Sequence, residues 1–227
     1  MTEAPSNLVN TLSAPFPWQG AQWAQLGRAF AASQLAHAYL LCGSEGLGKS
    51  LFADSFARYV LCMKPIAQSA VGRLVDVAIA CGTCSNCLKC GTGNHPDILT
   101  IEPEEGSKNI KIDQIRWLSE FVIRSCHSGG AKVVIIQGAH LLNANAANAL
   151  LKTLEEPNGN THVFLVSDHP GRLVATIRSR CQKLAFQVPD ADVAASWLQA
   201  IIGEGNVNSI LEASDMRPLI ALQLAEG

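Results

Sequence analysis

The sequence feature that most constrains the fold is a glycine-rich segment between an apolar run and a helical pattern. Eight residues fit the phosphate-loop pattern G-x-x-x-x-G-K-[ST]: Gly43, Ser44, Glu45, Gly46, Leu47, Gly48, Lys49 and Ser50. Glycines let successive backbone N–H groups converge on one anion, while the lysine reaches the outer phosphates and the serine hydroxyl binds Mg²⁺. Residues 37–42 are typical of a buried strand and residues 50–61 of a helix. The segment therefore predicts a strand, loop and helix that bind ATP with Mg²⁺.

Composition restricts the class of protein. The chain has 227 residues, 48% hydrophobic and 16% charged, enough for a substantial core in one large or two small domains. The net charge of −2 argues against a dedicated nucleic-acid binder, which is usually basic. The sequence contains neither an apolar run of about 18 residues, the length of a membrane span, nor a secretory leader. We therefore expect a cytoplasmic protein that does not bind membranes.

Apolar runs and helical patterns alternate after the phosphate loop, which predicts a parallel sheet with helices on both faces in residues 1–188. Residues 189–227 are helical in pattern and predict a small separate domain, whereas residues 1–17 indicate an arm and residues 63–80 lack a clear period. Further strands are predicted at 98–101, 132–136, 162–166 and 182–186, and helices at 19–33, from 112 to the glycines at 129 and 130, at 143–156 and at 173–178.

Half of the eight cysteines lie within ten residues, at positions 81, 84, 87 and 90. Cysteines at three-residue steps place thiolates around one point, which suits tetrahedral zinc. Three of them with one distant cysteine would complete a closed, structural site, and Cys62 at the end of the predicted helix is the natural fourth ligand. Cys90 is the rival fourth ligand, and redox chemistry at the C-x-x-C pairs is the alternative function.

The residues that hydrolysis requires are missing after the strand at 132–136. An ATPase of this class needs a carboxylate there to hold Mg²⁺ and usually a second to position water, but the chain has Gln137 and Gly138. His140 could act as a base in principle, although a core or surface histidine is the plainer interpretation, and residues 155–156 indicate a solvated helix end. The loop could thus bind ATP with slow or absent turnover, be kept only for its shape, or be an ordinary glycine turn.

Arginines supply the remaining candidates for phosphate chemistry. Arg178 and Arg180 follow a short predicted helix at one edge of the sheet, where an arginine could neutralise charge on a transferring phosphate. The alternative is a surface ion pair. Arg217, in the helical domain, could reach a bound nucleotide if that domain packs over it.

Several motifs together resemble the AAA+ clamp-loader subunits of bacterial DNA polymerase III, over nearly the whole chain. They are the phosphate loop, the cysteine cluster with Cys62 ahead of it, Pro17-Trp18, His95-Pro96-Asp97, the segment LLKTLEEP at 150–157, and Ser179-Arg180-Cys181. Within this family the chain resembles the delta-prime subunits, because acids are missing at positions 137 and 138. The motor subunits gamma and tau keep an Asp-Glu pair there.

The resemblance implies an AAA+ RecA-like sheet with a zinc module inserted at residues 62–90 and a helical lid at residues 189–227. It implies structural zinc on Cys62, Cys81, Cys84 and Cys87. It also implies that Arg180 is an arginine finger, offered in trans to the ATP of a neighbouring motor subunit. The intact phosphate loop and Arg217 favour ATP binding by the chain itself.

The implied partners are the gamma/tau motor subunits and the delta subunit, with which the chain would open the ring-shaped sliding clamp and close it on primed DNA. Family members continue into a helical collar domain, so we expect the sequence, which ends at Gly227, to be a piece without it. The alternatives are an active AAA+ motor subunit that uses other acids, and a zinc-dependent nucleic-acid module, against which the net charge argues.

Overall fold

The computed structural model describes residues 14–69, 76–127, 130–156, 159–203 and 205–226. Five strands form one parallel sheet: β1 (Ala38–Cys42), β4 (Ile98–Ile101), β5 (Lys132–Ile136), β6 (Thr161–Ser167) and β7 (Gln182–Ala185). Their order across the sheet is β4-β5-β6-β1-β7. A separate antiparallel hairpin contains β2 (Ile66–Ser69) and β3 (Asp76–Ile79).

Nine α-helices complete the described fold. They are α1 (Gly20–Ala31), α2 (Lys49–Leu61), α3 (Ser85–Gly91), α4 (Ile112–Ile123), α5 (Ala144–Glu155), α6 (Ala175–Arg178), α7 (Ala191–Ile202), α8 (Val207–Ala213) and α9 (Pro218–Glu226). The predicted alternation of strands and helices is confirmed. Helix α4 ends at Ile123, before the predicted glycines, of which Gly129 lies outside the described residues. No described helix has the length and apolar character that a membrane span requires.

The central strands β1, β5 and β6 are buried on both faces, which explains their largely apolar runs. Along β5, Val133 and Ile135 belong to the core that α1 and α2 cover, while Val134 and Ile136 belong to the core under α4 and α5. This division follows from the two-residue period of a strand. Because these strands are parallel, their carboxyl ends lie at one edge of the sheet.

The hairpin β2–β3 lies within residues 63–80, a segment whose sequence has no clear period and predicted no element. Trp23 of α1 donates a hydrogen bond from Nε1 to the Ala78 carbonyl at 3.0 Å, and Ile79 and Ala80 are buried in the adjacent core. The segment carries no clear period because it is anchored at its end by contacts with α1 rather than by one continuous apolar face.

The predicted arm is also wrong for its described end. Phe16 is buried, and Pro17–Gln19 form a 3₁₀ turn that leads into α1. Phe16 stacks on Trp18 with ring centroids 4.8 Å apart, and Trp197 of α7 packs edge-on against both rings. This aromatic cluster joins the start of the chain to the C-terminal helices α7 to α9, which have a small core of their own.

Candidate functional site

The phosphate loop joins β1 to α2 and follows the predicted local structure. Gly46 and Gly48 have φ angles of 82° and 76°, which favour glycine, and Gly48 is the N-cap residue of α2. Steric contact also excludes a larger residue at position 46, because a Cβ atom there would lie 2.6 Å from Cγ1 of Ile220 in α9. The loop can therefore adopt its anion-binding shape only with these glycines in place.

Polar contacts hold the loop from two sides. Trp18 and Gln19 donate side-chain hydrogen bonds to the Leu47 carbonyl at 3.1 and 2.9 Å. From the other side, the Leu219 backbone N–H donates to the Gly46 carbonyl at 3.1 Å. The position of the loop is thus fixed jointly by the turn before α1 and by the C-terminal helix α9.

Lys49 is buried at the bottom of the loop and has two close partners. Its Nζ atom lies 2.6 Å from Oδ1 of Asp168 and 2.6 Å from the Ser44 carbonyl oxygen. Asp168 directly follows β6, the strand beside β1. The sequence analysis missed Asp168, although an acid just after the strand predicted at 162–166 could have drawn attention to it.

Ser50 contacts the residue that replaces the missing acid. Its hydroxyl donates a hydrogen bond to Oε1 of Gln137 at 2.6 Å. Gln137 directly follows β5, as predicted, and Gly138 begins a turn with a φ of 65°. Ser50 therefore contacts the residue after β5, where a hydrolytic site would have a carboxylate, and that residue has a neutral amide instead.

A cavity of about 560 Å³ lies over these groups and contains acidic and imidazole side chains from neighbouring elements. Asp54 of α2 and Glu102, just after β4, both line it. Burial raises the pKa of Asp54 to about 6, against the lowering effect of Arg58, and Glu102 raises it further. The cavity therefore holds carboxylates, but not at the position after β5.

His140 also lines this cavity, as does His169. The two rings meet edge to face with centroids 5.1 Å apart, and His140 Nδ1 lies 3.3 Å from the Ser167 hydroxyl. Burial lowers the pKa of His140, which favours the neutral imidazole. His140 is thus a packed histidine at the edge of this cavity.

Four cysteines come together as the sequence predicts. The sulfur atoms of Cys62, Cys81, Cys84 and Cys87 lie within 4.8 Å of one another, whereas Cys90 is buried outside this group. Cys62 caps the end of α2, Cys81 lies beyond β3, and the others lie at the start of α3. Among the described residues, this group is the one with the spacing of a metal site.

Hydrogen bonds around Cys81 favour thiolate chemistry. Backbone N–H groups of Thr83 and Cys84, together with the Thr83 hydroxyl, lower the pKa of Cys81 to about 6. Burial raises the pKa of Cys87, and it raises that of Cys90 to about 11. The Cys81 and Cys87 sulfurs are 3.9 Å apart, close to the separation of about 3.8 Å that tetrahedral Zn–S bonds of about 2.3 Å would give.

Arg180 lies between α6 and β7, the edge strand, and is partly exposed. Its Nη2 atom lies 2.5 Å from Oε1 of Glu155, and its Nη1 atom donates to the Thr176 carbonyl at 3.0 Å. Glu155, interpreted from the sequence as part of a solvated helix end, is thus an ion-pair partner of the candidate finger. Arg178 is exposed.

Arg217 lies at the start of α9, beside the phosphate loop. Its Cβ atom is 3.2 Å from the place that a Cβ atom on Gly46 would take. Its guanidinium group donates to the Ser214 carbonyl at 2.8 Å and lies 3.1 Å from Asp215 Oδ2. The backbone of Arg217 is therefore near the loop, while its charged group is held by Asp215.

The chain is similar to curated subunits of DNA polymerase III. It is 42% identical over 212 residues to subunit delta' of Pseudomonas aeruginosa, covering 92% of this chain and 61% of that protein. Identity to subunit delta' of Escherichia coli is 34% over 214 residues, covering 93% and 61%. A tau/gamma subunit of Haemophilus influenzae is 31% identical over 175 residues, covering 77% and 24%. The chain thus spans about three fifths of the length of these delta' relatives.

Solved structures confirm the predicted AAA+ type of α/β fold. A DNA polymerase III gamma-subunit-related protein of Thermotoga maritima matches with a TM-score of 0.57 and 22% identity, over 90% of this chain and 57% of the other. The RuvB Holliday junction branch migration motor of the same organism matches with a TM-score of 0.56 and 15% identity, over 91% and 59%. A profile of the family described as DNA polymerase III, delta subunit, matches residues 18–190. Because this match covers well over half of the sequence, the chain belongs to that DNA polymerase III subunit family.

Proposed function

We propose that the chain acts as a delta-prime-type subunit of a DNA polymerase III clamp loader and hydrolyses little or no ATP itself. The observation that carries this proposal is the hydrogen bond from Ser50 to Gln137. Phosphoryl transfer in this class needs a carboxylate at the end of that strand to hold Mg²⁺. An amide oxygen can accept a hydrogen bond from the serine hydroxyl, but the amide cannot neutralise a cation or take a proton from water.

Nucleotide binding is separable from hydrolysis at this site. The loop amides and the start of α2 supply positive potential for phosphates, and Lys49 supplies a cation. Lys49 would exchange Asp168 for a phosphate, while Ser50 would be the residue that holds Mg²⁺ bound with the nucleotide. Arg217 could join the site by leaving Asp215.

Arg180 would act on a neighbour's nucleotide. Its place beside an edge strand and its partial exposure leave the guanidinium group accessible from outside. An arginine finger supplied in trans stabilises the charge of the transferring phosphoryl group and contributes roughly 10³–10⁵ in rate. The neighbour would be a gamma/tau motor subunit. Together with the delta subunit, the complex would load the sliding clamp on primed DNA.

The four-cysteine group would hold one structural zinc ion. The fit rests on the four converging sulfurs and on the N–H groups that favour thiolate at Cys81. Four thiolates complete a tetrahedral shell, so the ion would lack an open position for catalysis and would stabilise the fold. The ion would tie the end of α2 to α3 and to the exit of the hairpin.

An active motor subunit is the second candidate function, because the cavity contains other acids. Asp54 and Glu102 line it, and Asp168 contacts Lys49. Turnover by the isolated chain, compared between wild type and Lys49→Ala, separates the two functions. The proposal is supported if the wild type binds a fluorescent ATP analogue, Lys49→Ala abolishes this binding, and ATP turnover is equally low in both proteins. Turnover that Lys49→Ala abolishes would establish the motor.

A further inference from the structure

Arg180 is fixed at two points by neighbouring helices. Glu155, the last residue of α5, contacts Nη2 of Arg180, and the carbonyl of Thr176 in α6 accepts from Nη1. The guanidinium group has five N–H donors, so these two contacts leave others available. The side chain is 36% exposed, which keeps part of the group accessible from outside the chain.

The geometry of this contact is set by the core beneath it. Ile177 of α6 is fully buried in the same cluster as Leu150 and Leu154 of α5. Helix α5 also has a defined start, because the Asn143 side chain accepts the Ala146 N–H at 2.8 Å. The two groups that hold Arg180 therefore belong to helices whose relative position is fixed by packing.

A long arginine side chain is effective against a transition state only when it is already in place. A free arginine samples many rotamers, and ordering it at each turnover opposes catalysis. A carboxylate on one edge of the guanidinium group restricts these rotamers through a charge-assisted hydrogen bond. It also leaves the positive charge largely available, because an exposed pair is only weakly coupled.

We infer that Glu155 is a positioning residue for the arginine finger. It holds the guanidinium group of Arg180 in one place beside α5 and α6, so that the N–H groups outside these two contacts are available to the phosphoryl group of a neighbour's nucleotide. The inference rests on the proposed function of Arg180 and names the residue of this chain on which that function depends.

The sequence supplies a matched control in the next residue. Glu156 is exposed, carries the same charge, and makes no ion pair within the described part of the chain. Glu155→Ala and Glu156→Ala therefore remove the same group from adjacent positions. Glu155→Gln keeps the length of the side chain and a neutral acceptor, so its effect should be intermediate.

The test is a double-mutant cycle in a clamp loader reconstituted with the full-length form of this chain, with kcat and KM for ATP measured in the presence of clamp and primed DNA. We expect Glu155→Ala to lower kcat at the neighbouring site about five- to tenfold with KM unchanged, Glu155→Gln to lower it less, and Glu156→Ala to change it less than twofold. In an Arg180→Ala background, Glu155→Ala should cause no further loss.

Two results would overturn the inference alone while Arg180→Ala still lowers kcat. One is a Glu155→Ala effect no larger than that of Glu156→Ala. The other is an equal loss with Arg180 present and absent, which would mean that Glu155 acts on the fold or on assembly. If Arg180→Ala leaves kcat unchanged, the finger function fails, and this inference fails with it.

Discussion

Lys49 and Asp168 form an ion pair in the cavity over the phosphate loop, with Nζ and Oδ1 2.6 Å apart. The lysine is 3% exposed and the aspartate 32% exposed, so a phosphate must displace the carboxylate to reach Nζ. Lys49 is thus paired with an acid of the same chain, and any nucleotide that binds at Nζ must compete with Asp168.

The first prediction concerns this competition. We expect Asp168→Asn to strengthen binding of an ATP analogue about tenfold, because Lys49 then lacks a competing anion. The same change should lower the free energy of unfolding by about 1–3 kcal/mol, since a buried lysine loses its partner. Thermal denaturation with and without the analogue measures both effects. Asp113→Asn, at an exposed position in α4, is the control. Equal affinity in wild type and Asp168→Asn would mean that the pair does not gate the site.

The second prediction concerns the metal site. We expect Cys84→Ser to lose the zinc, because three thiolates and a hydroxyl make a much weaker site, and to lower the melting temperature markedly. Cys90→Ala should keep the metal, since Cys90 lies outside the sulfur group. Metal analysis and thermal denaturation with and without a chelator check both variants. Zinc retained by Cys84→Ser, or lost by Cys90→Ala, would refute the assigned ligand set.

The third prediction is a pH dependence that Asp54 causes. Burial raises its pKa from 3.8 to about 6 in the folded chain, so the folded state binds more protons than the unfolded state between these values. Stability from this group is therefore lost as pH rises. Relative to Asp54→Asn, the wild type should lose about 1 kcal/mol between pH 5 and pH 8. Urea denaturation of both proteins at the two pH values measures this difference, and a constant difference would contradict the assignment.

The fourth prediction tests the contact between the phosphate loop and α9. Gly46→Ala should destabilise the chain by about 1–3 kcal/mol and weaken nucleotide binding, because its Cβ would lie 2.6 Å from Ile220 and the φ of 82° disfavours alanine. Gly27→Ala is the matched control, since open space surrounds that position within α1. The control should stabilise by about 0.5–1 kcal/mol. Denaturation curves that coincide for the two variants would show that α9 does not press on the loop.

Local patterns predicted the parts of the fold that depend on neighbouring residues. The phosphate loop and the strand that ends before Gln137 follow from spacing and apolar runs, and Cys62 was favoured as the fourth ligand because it lies at the end of a predicted helix. The structure also places Cys90 outside that group, which spacing alone left open.

The features that the sequence did not predict depend on distant partners. Asp168 acquires its role only because β6 lies beside β1, and Glu155 only because α5 ends next to α6. Phe16 was interpreted as part of an arm, because the aromatic partner that buries it, Trp197, lies 181 positions later. Pairings of this kind are set by tertiary packing, which a local period does not contain.

The measurement that tests the trans role of Arg180 most directly is ATP turnover by a reconstituted loader, stimulated by clamp and primed DNA, with wild type or Arg180→Ala. Arg178→Ala, two positions earlier, is the matched control. We expect Arg180→Ala to lower kcat at the neighbouring site by about 10³-fold or more. In the turnover of the whole loader, this appears as the loss of the share that the neighbouring site contributes. Assembly and the KM for ATP should not change. Unchanged turnover by a fully assembled Arg180→Ala loader would contradict the account and leave Arg180 as a surface ion pair with Glu155.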